Sequence, residues 1–338
     1  MNYPKGSLIN LAEYRNEELQ QVLNLADTLK RDNKTSQLAA GKVLGLMFFN
    51  SSLRTRVSFE AAAAQLGASS TIIQPGSGTW PLEIGDGVVM DGDKSEHVKE
   101  AMAVLSRYCD VIGVRAFAGM EDYDHDISDY MIKMLAEYTD VPFLNLESAA
   151  SHPFQGLADW LTLNELFGSS IKSKTLVLRW APHPKSLPMA VPNTALQVAA
   201  RAGMNVVLNC PEEFVPDEQI ISDARQFAKQ HNNQVSISYE NDSGLADADV
   251  VYVKSWGAPL LYSSPKSEHK LRTTTYRKWT VKEKTMAPSN NAKVMHCLPV
   301  RRNVVIADEV LDHPQAVHIN QAENRLHAQK AWLHQLWD

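Results

Sequence analysis

Cysteine is scarce in this sequence: Cys109, Cys210 and Cys297 are the only three in 338 residues, and they stand far apart in no C-x-x-C spacing. That excludes a disulfide framework and a cysteine zinc or dithiol motif, and it fits a reducing compartment. Long apolar runs are missing as well. No stretch of 18 apolar residues occurs, and residues 1–13 lack the basic-then-apolar order of a secretory signal, so a soluble, cytoplasmic protein with no membrane partner is expected. Nor is there an excess of basic charge. The formal net charge is -6 and the pI is about 6.0, which leaves no extended cationic surface for a nucleic-acid backbone, so no nucleic-acid partner is expected.

What the chain does have is apolar content, 44% of its residues, enough for two domains of roughly 150 residues with separate cores. Residues 17–31 read as an amphipathic helix, 43–49 as a strand, 55–66 as a helix whose alanine run suits close packing on a sheet, and 71–73 as a strand. A Gly/Pro-rich loop over 75–87 leads to a helix over 95–108 and strands over 111–114 and 142–146. A second series follows, with helices over 157–167, 195–202 and 217–230 and strands over 175–180, 205–209, 235–239, 250–253 and 293–296. A last helix over 321–336 is free to return to the first domain. The rhythm predicts an α/β protein with parallel sheets.

In open parallel sheets, ligands collect beyond the carboxyl ends of the strands, where helix N-termini face outward. After the strand over 43–49 comes Asn50-Ser51-Ser52-Leu53-Arg54-Thr55-Arg56, leading straight into a helix. Its hydroxyls, helix-start amides and guanidinium groups suit a phosphate dianion, although such a stretch taken alone reads first as an N-cap with surface arginines. A second basic pair, Arg301 and Arg302, is another place for a small anion. Arg115 follows the strand over 111–114, and Glu147 then His152-Pro153-Phe154-Gln155 follow the strand over 142–146. Fixed donors of this kind suit a carbonyl carbon under attack, where each is worth roughly 3 to 4 kcal/mol against the developing oxyanion. In the second half, strand ends deliver Lys254-Ser255-Trp256-Gly257 and His296-Cys297-Leu298-Pro299. A buried structural cysteine is the default reading of Cys297, whose backbone carbonyl then matters more than its sulfur.

Taken together, Ser52-Leu53-Arg54-Thr55-Arg56, Arg115, His152-Pro153-Phe154-Gln155 with Asp159 after it, and His296-Cys297-Leu298-Pro299 resemble the aspartate/ornithine carbamoyltransferase superfamily in order and separation, across nearly the whole chain. One departure is informative. Lys254-Ser255-Trp256-Gly257 stands where ordinary ornithine carbamoyltransferases bind a free α-ammonium; a lysine would repel that group and suits a substrate with an acylated α-nitrogen. Gly78-Thr79-Trp80, Met90-Asp91-Gly92-Asp93, Trp180-Ala181-Pro182-His183-Pro184, Pro192-Asn193 and Glu323-Asn324-Arg325 likewise look like the N-acetylornithine and N-succinylornithine branch.

The resemblance implies two doubly wound parallel-sheet domains of the carbamoyltransferase fold: a carbamoyl-phosphate domain over 1–153, completed by a C-terminal helix over 321–338, and an acylornithine domain over 154–320 with a trefoil knot. It implies that Ser52, Leu53, Arg54, Thr55, Arg115, His152, Gln155, Cys297, Leu298 and Arg325 bind carbamoyl phosphate. Trp80 would reach in from a neighbouring subunit of a homotrimer. Glu147, Asn193, Lys254, Ser95, Cys297 and Leu298 would hold the N-acyl-L-ornithine, and Arg54, Thr55, Arg115 and His152 would be catalytic. No metal and no cofactor is implied; Asp86, Asp91 and Asp93 lack the ligand pattern of a calcium loop.

The position of Ser95 is a Glu in acetyl-specific members and small or Pro in succinyl-specific ones. A carboxylate there would repel a succinyl carboxylate about 4 Å away by roughly 1 to 4 kcal/mol, and Ser95 imposes no such filter. N-succinyl-L-ornithine is therefore the expected acceptor in arginine biosynthesis, with N-acetyl-L-ornithine the alternative, and Glu96 one residue on is close enough to restore the charge. Other readings are a carbamoyltransferase for free ornithine or putrescine, which Lys254 opposes, and a non-catalytic anion sensor.

Overall fold

In this computed structural model, residues 3–241, 245–289 and 291–338 are described. The chain divides into two compact units. Unit 1 takes in the described residues up to Gly119, Asp124–Phe154 and Arg325–Asp338, and unit 2 takes in Met120–Tyr123 and Gln155–Asn324.

Unit 1 contains strands β1 (Val43–Phe48), β2 (Ser69–Ile73), β3 (Leu82–Glu83), β4 (Glu96–His97), β5 (Val111–Arg115) and β6 (Phe143–Glu147). Four of them form an all-parallel sheet in the order β2-β1-β5-β6. β5 and β6 are buried along their whole length, the pattern of strands covered on both faces, which is why they read as continuous apolar runs rather than alternating ones. The chain runs from β1 outward to β2 and then crosses back to β5, so the winding reverses between β1 and β5. That reversal brings Phe48 into register with Arg115 and makes the carboxyl ends of these two strands the switch point of the unit.

The helix after β1, Leu53–Gln65, is capped by Ser52, whose Oγ accepts from the Thr55 backbone N–H. Phe59, Ala62 and Ala63 are buried, the small alanines letting its backbone approach the core closely. Phe59 meets Phe154 edge to face at 4.9 Å, Phe154 meets Trp332 at 6.2 Å, and Trp332 meets Tyr14 at 5.3 Å. This aromatic chain ties the end of the C-terminal helix, His318–Trp337, into the unit 1 core.

Unit 2 contains β7 (Thr175–Trp180), β8 (Asn205–Asn209), β9 (Val235–Ser238), β10 (Val250–Lys254) and β11 (Lys293–Met295), again all parallel, in the order β11-β10-β7-β8-β9. Here the winding reverses between β7 and β10, and Lys254 pairs with Trp180 at that point. The helix Ala190–Arg201 is buried on every side, so it shows no apolar stripe.

The differences from the sequence reading are local. The helix expected from residue 95 starts at Val98, because Glu96 and His97 form β4 and the His97 ring accepts from the Lys99 N–H as a cap. The loop over 75–87 contributes β3, too short to show a period. The helix Tyr130–Glu137 and the short helical pieces between Pro259 and Met286 carry no clean periodicity and were not expected. The helix expected from residue 157 begins at Pro153, a position where a missing N–H costs nothing.

Candidate active site

At the unit 1 switch point, the end of β5 and the start of the helix Leu53–Gln65 bring buried polar groups together. Arg325 Nη2 donates to Thr55 Oγ1 at 2.7 Å, and Arg115 Nη1 approaches the same oxygen at 3.4 Å and donates to Glu147 Oε2. His152 Nε2 lies 3.3 Å from that Glu147 oxygen. All five residues are at most 9% exposed. Two guanidinium groups thus converge on one buried hydroxyl, Thr55 Oγ1, an arrangement that suits an anion better than a neutral ligand. The Arg115 guanidinium also lies 4.4 Å over the Phe117 ring, and Phe117 N donates to Asn50 Oδ1 at 2.7 Å, which fixes the approach of the β5 end to the helix start.

Arg54 is half-buried on the same helix, whereas its sequence partner Arg56 pairs with Glu60 one turn on at 3.4 Å, as an ordinary surface residue does. Leu53 is 75% exposed beside it. The second basic pair also divides. Arg302 is taken up by Asp308 and Asp312, while Arg301 Nε donates to His183 Nε2 at 3.2 Å.

Trp80 is 55% exposed and donates its Nε1 to Glu96 Oε2 at 2.8 Å. β4 begins at Glu96, one residue after Ser95, and the Glu96 carboxylate is engaged by Trp80. Ser95 is exposed. The surrounding loop is stapled by Glu83, which accepts from Ile84 N, Gly85 N and Lys94 Nζ. The Gly85 N–H first and Lys94 next hold its carboxyl below the usual range.

In unit 2, Gln155 Nε2 and Gln321 Nε2 both donate to Asp159 Oδ1, at 2.8 and 2.7 Å. Gln321 Oε1 accepts from His296 N at 2.9 Å, and the next turn closes when His296 Nδ1 accepts from Leu298 N at 2.8 Å. Leu298 sits at φ 57, a conformation that costs a branched side chain on the order of 1 kcal/mol and that tends to occur at functional turns. Cys297 is buried. Tyr252, also buried here, was not anticipated; burial first and the Asp159 carboxylate next push its phenol well above the ordinary range. A tyrosine inside an apolar strand carries no signal beyond core packing.

At the unit 2 switch point, Lys254 ends β10 half-buried, and Ala181 N donates to its carbonyl at 3.0 Å. In the following turn a Cβ at Gly257 would lie 2.0 Å from Ser186 Oγ, which would have to rotate away. Burial first, with Lys254, Arg301 and Arg272 after it, holds the His183 imidazole below its ordinary range. Lys254 and Arg301 thus flank an imidazole whose protonation they disfavour, and neither His183 nor Arg301 is among the expected substrate residues. Asn193 is buried on the helix Ala190–Arg201.

Residues 7–165 match the carbamoyl-P binding domain of the aspartate/ornithine carbamoyltransferases, and residues 189–336 match their Asp/Orn binding domain. The chain is 44% identical to an N-acetylornithine carbamoyltransferase of Xanthomonas campestris over 96% of its own length and 95% of the other. It is 37% identical to an N-succinylornithine carbamoyltransferase of Bacteroides fragilis over 91% and 92%. An acetylornithine transcarbamylase solved with acetylcitrulline superposes with a TM-score of 0.93 at 43% identity, covering 98% of each chain. A glutamate-to-serine variant of an N-acetyl-L-ornithine transcarbamylase, solved with carbamyl phosphate and N-succinyl-L-norvaline, superposes equally well, at 0.93 and 43% over 98% of this chain and 99% of the other. The chain belongs to the aspartate/ornithine carbamoyltransferase family, in its N-acylornithine branch.

Proposed function

We propose that the protein transfers the carbamoyl group of carbamoyl phosphate to the δ-amino group of N-succinyl-L-ornithine, giving N-succinyl-L-citrulline and phosphate on a route to arginine. The observation that carries the acyl choice is Ser95: an exposed, uncharged residue with its neighbour Glu96 turned to Trp80. A succinyl carboxylate meets no like charge there. The glutamate-to-serine transcarbamylase supports this reading, since that substitution accompanies a complex with a succinyl compound.

The unit 1 cluster suits carbamoyl phosphate. Ser52, Leu53, Arg54 and Thr55 at the helix start hold the phosphate; Arg115, His152 and Thr55 donate to the carbonyl oxygen, and Arg325 supports Thr55 at 2.7 Å. Gln155 and the backbone carbonyls of Cys297 and Leu298 accept from the carbamoyl NH2. Lys254 holds the α-carboxylate, with Asn193 and Glu147 on the rest of the acylornithine. A neutral δ-amine attacks the carbamoyl carbon, the carbon–nitrogen bond forms, and the collapse of the tetrahedral species breaks the bond to phosphate. The departing phosphate takes the amine proton. Trp80 completes the site of the next subunit in a homotrimer.

The second reading is the same transfer to N-acetyl-L-ornithine, favoured by the 44% identity to a relative of that name. Citrulline-type product formation with N-succinyl-L-ornithine, N-acetyl-L-ornithine and L-ornithine, assayed side by side, separates the readings. Turnover confined to the succinyl compound supports the first, preference for the acetyl compound the second, and turnover of free ornithine alone overturns both along with the role of Lys254.

A further inference from the structure

The hydrogen bonds around Asp159 have only one consistent polarity. The His296 backbone N–H can only donate, so the group facing it at 2.9 Å is the oxygen of the Gln321 amide. The nitrogen of that amide then faces Asp159 Oδ1 at 2.7 Å, and Oδ1 must be an acceptor. Gln155 lies against the same oxygen at 2.8 Å and must also present its nitrogen. Its Oε1 is thereby turned away as a buried acceptor with no hydrogen-bond partner among the described residues, on a residue only 1% exposed. An orphaned buried acceptor costs roughly 1 to 3 kcal/mol, which a ligand donor recovers.

We infer that Asp159 is the positioning residue that fixes which end of the Gln155 amide faces the ligand, and so makes this part of the site selective for an N–H donor. This rests on the reading of carbamoyl phosphate as substrate. Carbamoyl phosphate has an NH2 group and inorganic phosphate has none, so only carbamoyl phosphate reports on the Gln155 amide. Without Asp159 the amide is free to rotate and offer its own NH2, donor against donor. Asp159 acts through its acceptor oxygen rather than its charge.

The test compares wild type, Asp159→Leu and Asp159→Asn for the KM of carbamoyl phosphate and the Ki of inorganic phosphate as a competing product. Asp159→Leu is expected to raise the KM by about tenfold or more, the loss of one buried hydrogen bond, while the phosphate Ki stays within about twofold. Asp159→Asn, which keeps an oxygen able to accept from both amides, is expected to stay within about threefold of wild type on both. In a Gln155→Ala background the Asp159→Leu effect should largely vanish. Asp159→Ala serves the same comparison if the leucine variant does not fold. Parallel loss of carbamoyl phosphate and phosphate, no change in either, or an asparagine variant as impaired as the leucine one overturns the inference. Failure of the substrate reading looks different: the wild type itself then shows no carbamoyl-phosphate-dependent turnover.

Discussion

At the scale of single residues, placement was legible where a side chain stands at or shortly after the end of a strand. Arg115, His152 and Lys254 were singled out from such positions, with their roles implied by the resemblance, and each lies beside a switch point of its sheet or in the buried cluster there. The partners of those side chains were not legible. Glu147 was expected to hold the acylornithine, and its carboxylate is engaged by Arg115 and His152. The Arg54/Arg56 and Arg301/Arg302 pairs look symmetrical in the sequence but each divides into one residue near polar site groups and one in a surface ion pair. Ser95→Glu belongs at this scale. It should lower kcat/KM for N-succinyl-L-ornithine by roughly five-fold to nine-hundred-fold, through like-charge repulsion of about 1 to 4 kcal/mol, and leave the acetyl compound far less affected. Steady-state assays with the two acceptors check this, and an equal loss on both would remove Ser95 from the filter.

At the scale of elements, two polar devices hold segments that propensity does not define. The turn before His152 is fastened by Asp129, whose Oδ1 accepts from Ala150 N and whose Oδ2 accepts from Ser148 Oγ, both at 2.9 Å. Burial pushes this carboxyl from 3.8 up to about 6. The folded state therefore binds a proton more readily than the unfolded one. Stability from this group is complete below about pH 4, falls as the pH rises toward 6, and above that is lower by about 3 kcal/mol at most. Asp129→Asn should raise the thermal midpoint at pH 7.5 and make no difference near pH 4. Asparagine also tolerates the positive φ of 55 at this position. A midpoint unchanged at both pH values would count against the buried-charge account.

The proline-rich segment after β7 is held by a second device. Arg272 and Glu268, buried at 3% and 0% exposure, pair at 2.8 and 3.0 Å, and Arg272 also donates to His183 O. Arg272→Met strands the Glu268 charge and should cost about 3 to 5 kcal/mol, whereas Arg272→Met with Glu268→Leu should recover most of it. Urea midpoints of the two variants decide the point; a double variant no better than the single would show that packing, not charge, is lost.

At the scale of the whole molecule, the proposed trimer is tested by complementation. Trp80→Ala and Arg115→Ala are each expected to lose most activity. In co-refolded or co-expressed mixtures, a Trp80→Ala subunit next to an Arg115→Ala subunit retains its own Arg115 and receives a neighbour's intact Trp80. An equimolar random mixture should then restore about one site in four. Activity that never exceeds that of the separate variants would put Trp80 in its own subunit's site.

The sequence by itself determined the local grammar: apolar runs of strand length, each closed by a polar junction that starts a helix, and from their alternation two parallel α/β sheets. Those features depend on contacts within a few residues, so they survive in one dimension. Segments governed by distant partners did not. β3 and β4 are two residues each and exist only because they pair with one another. Tertiary structure also decided which polar groups meet: Thr55 with Arg325, 270 residues away, and Asp159 with Gln321, 162 residues away. The direction in which the Gln155 amide points was likewise invisible, because it is dictated by a chain of obligate donors and acceptors that only folding brings within 3 Å of one another.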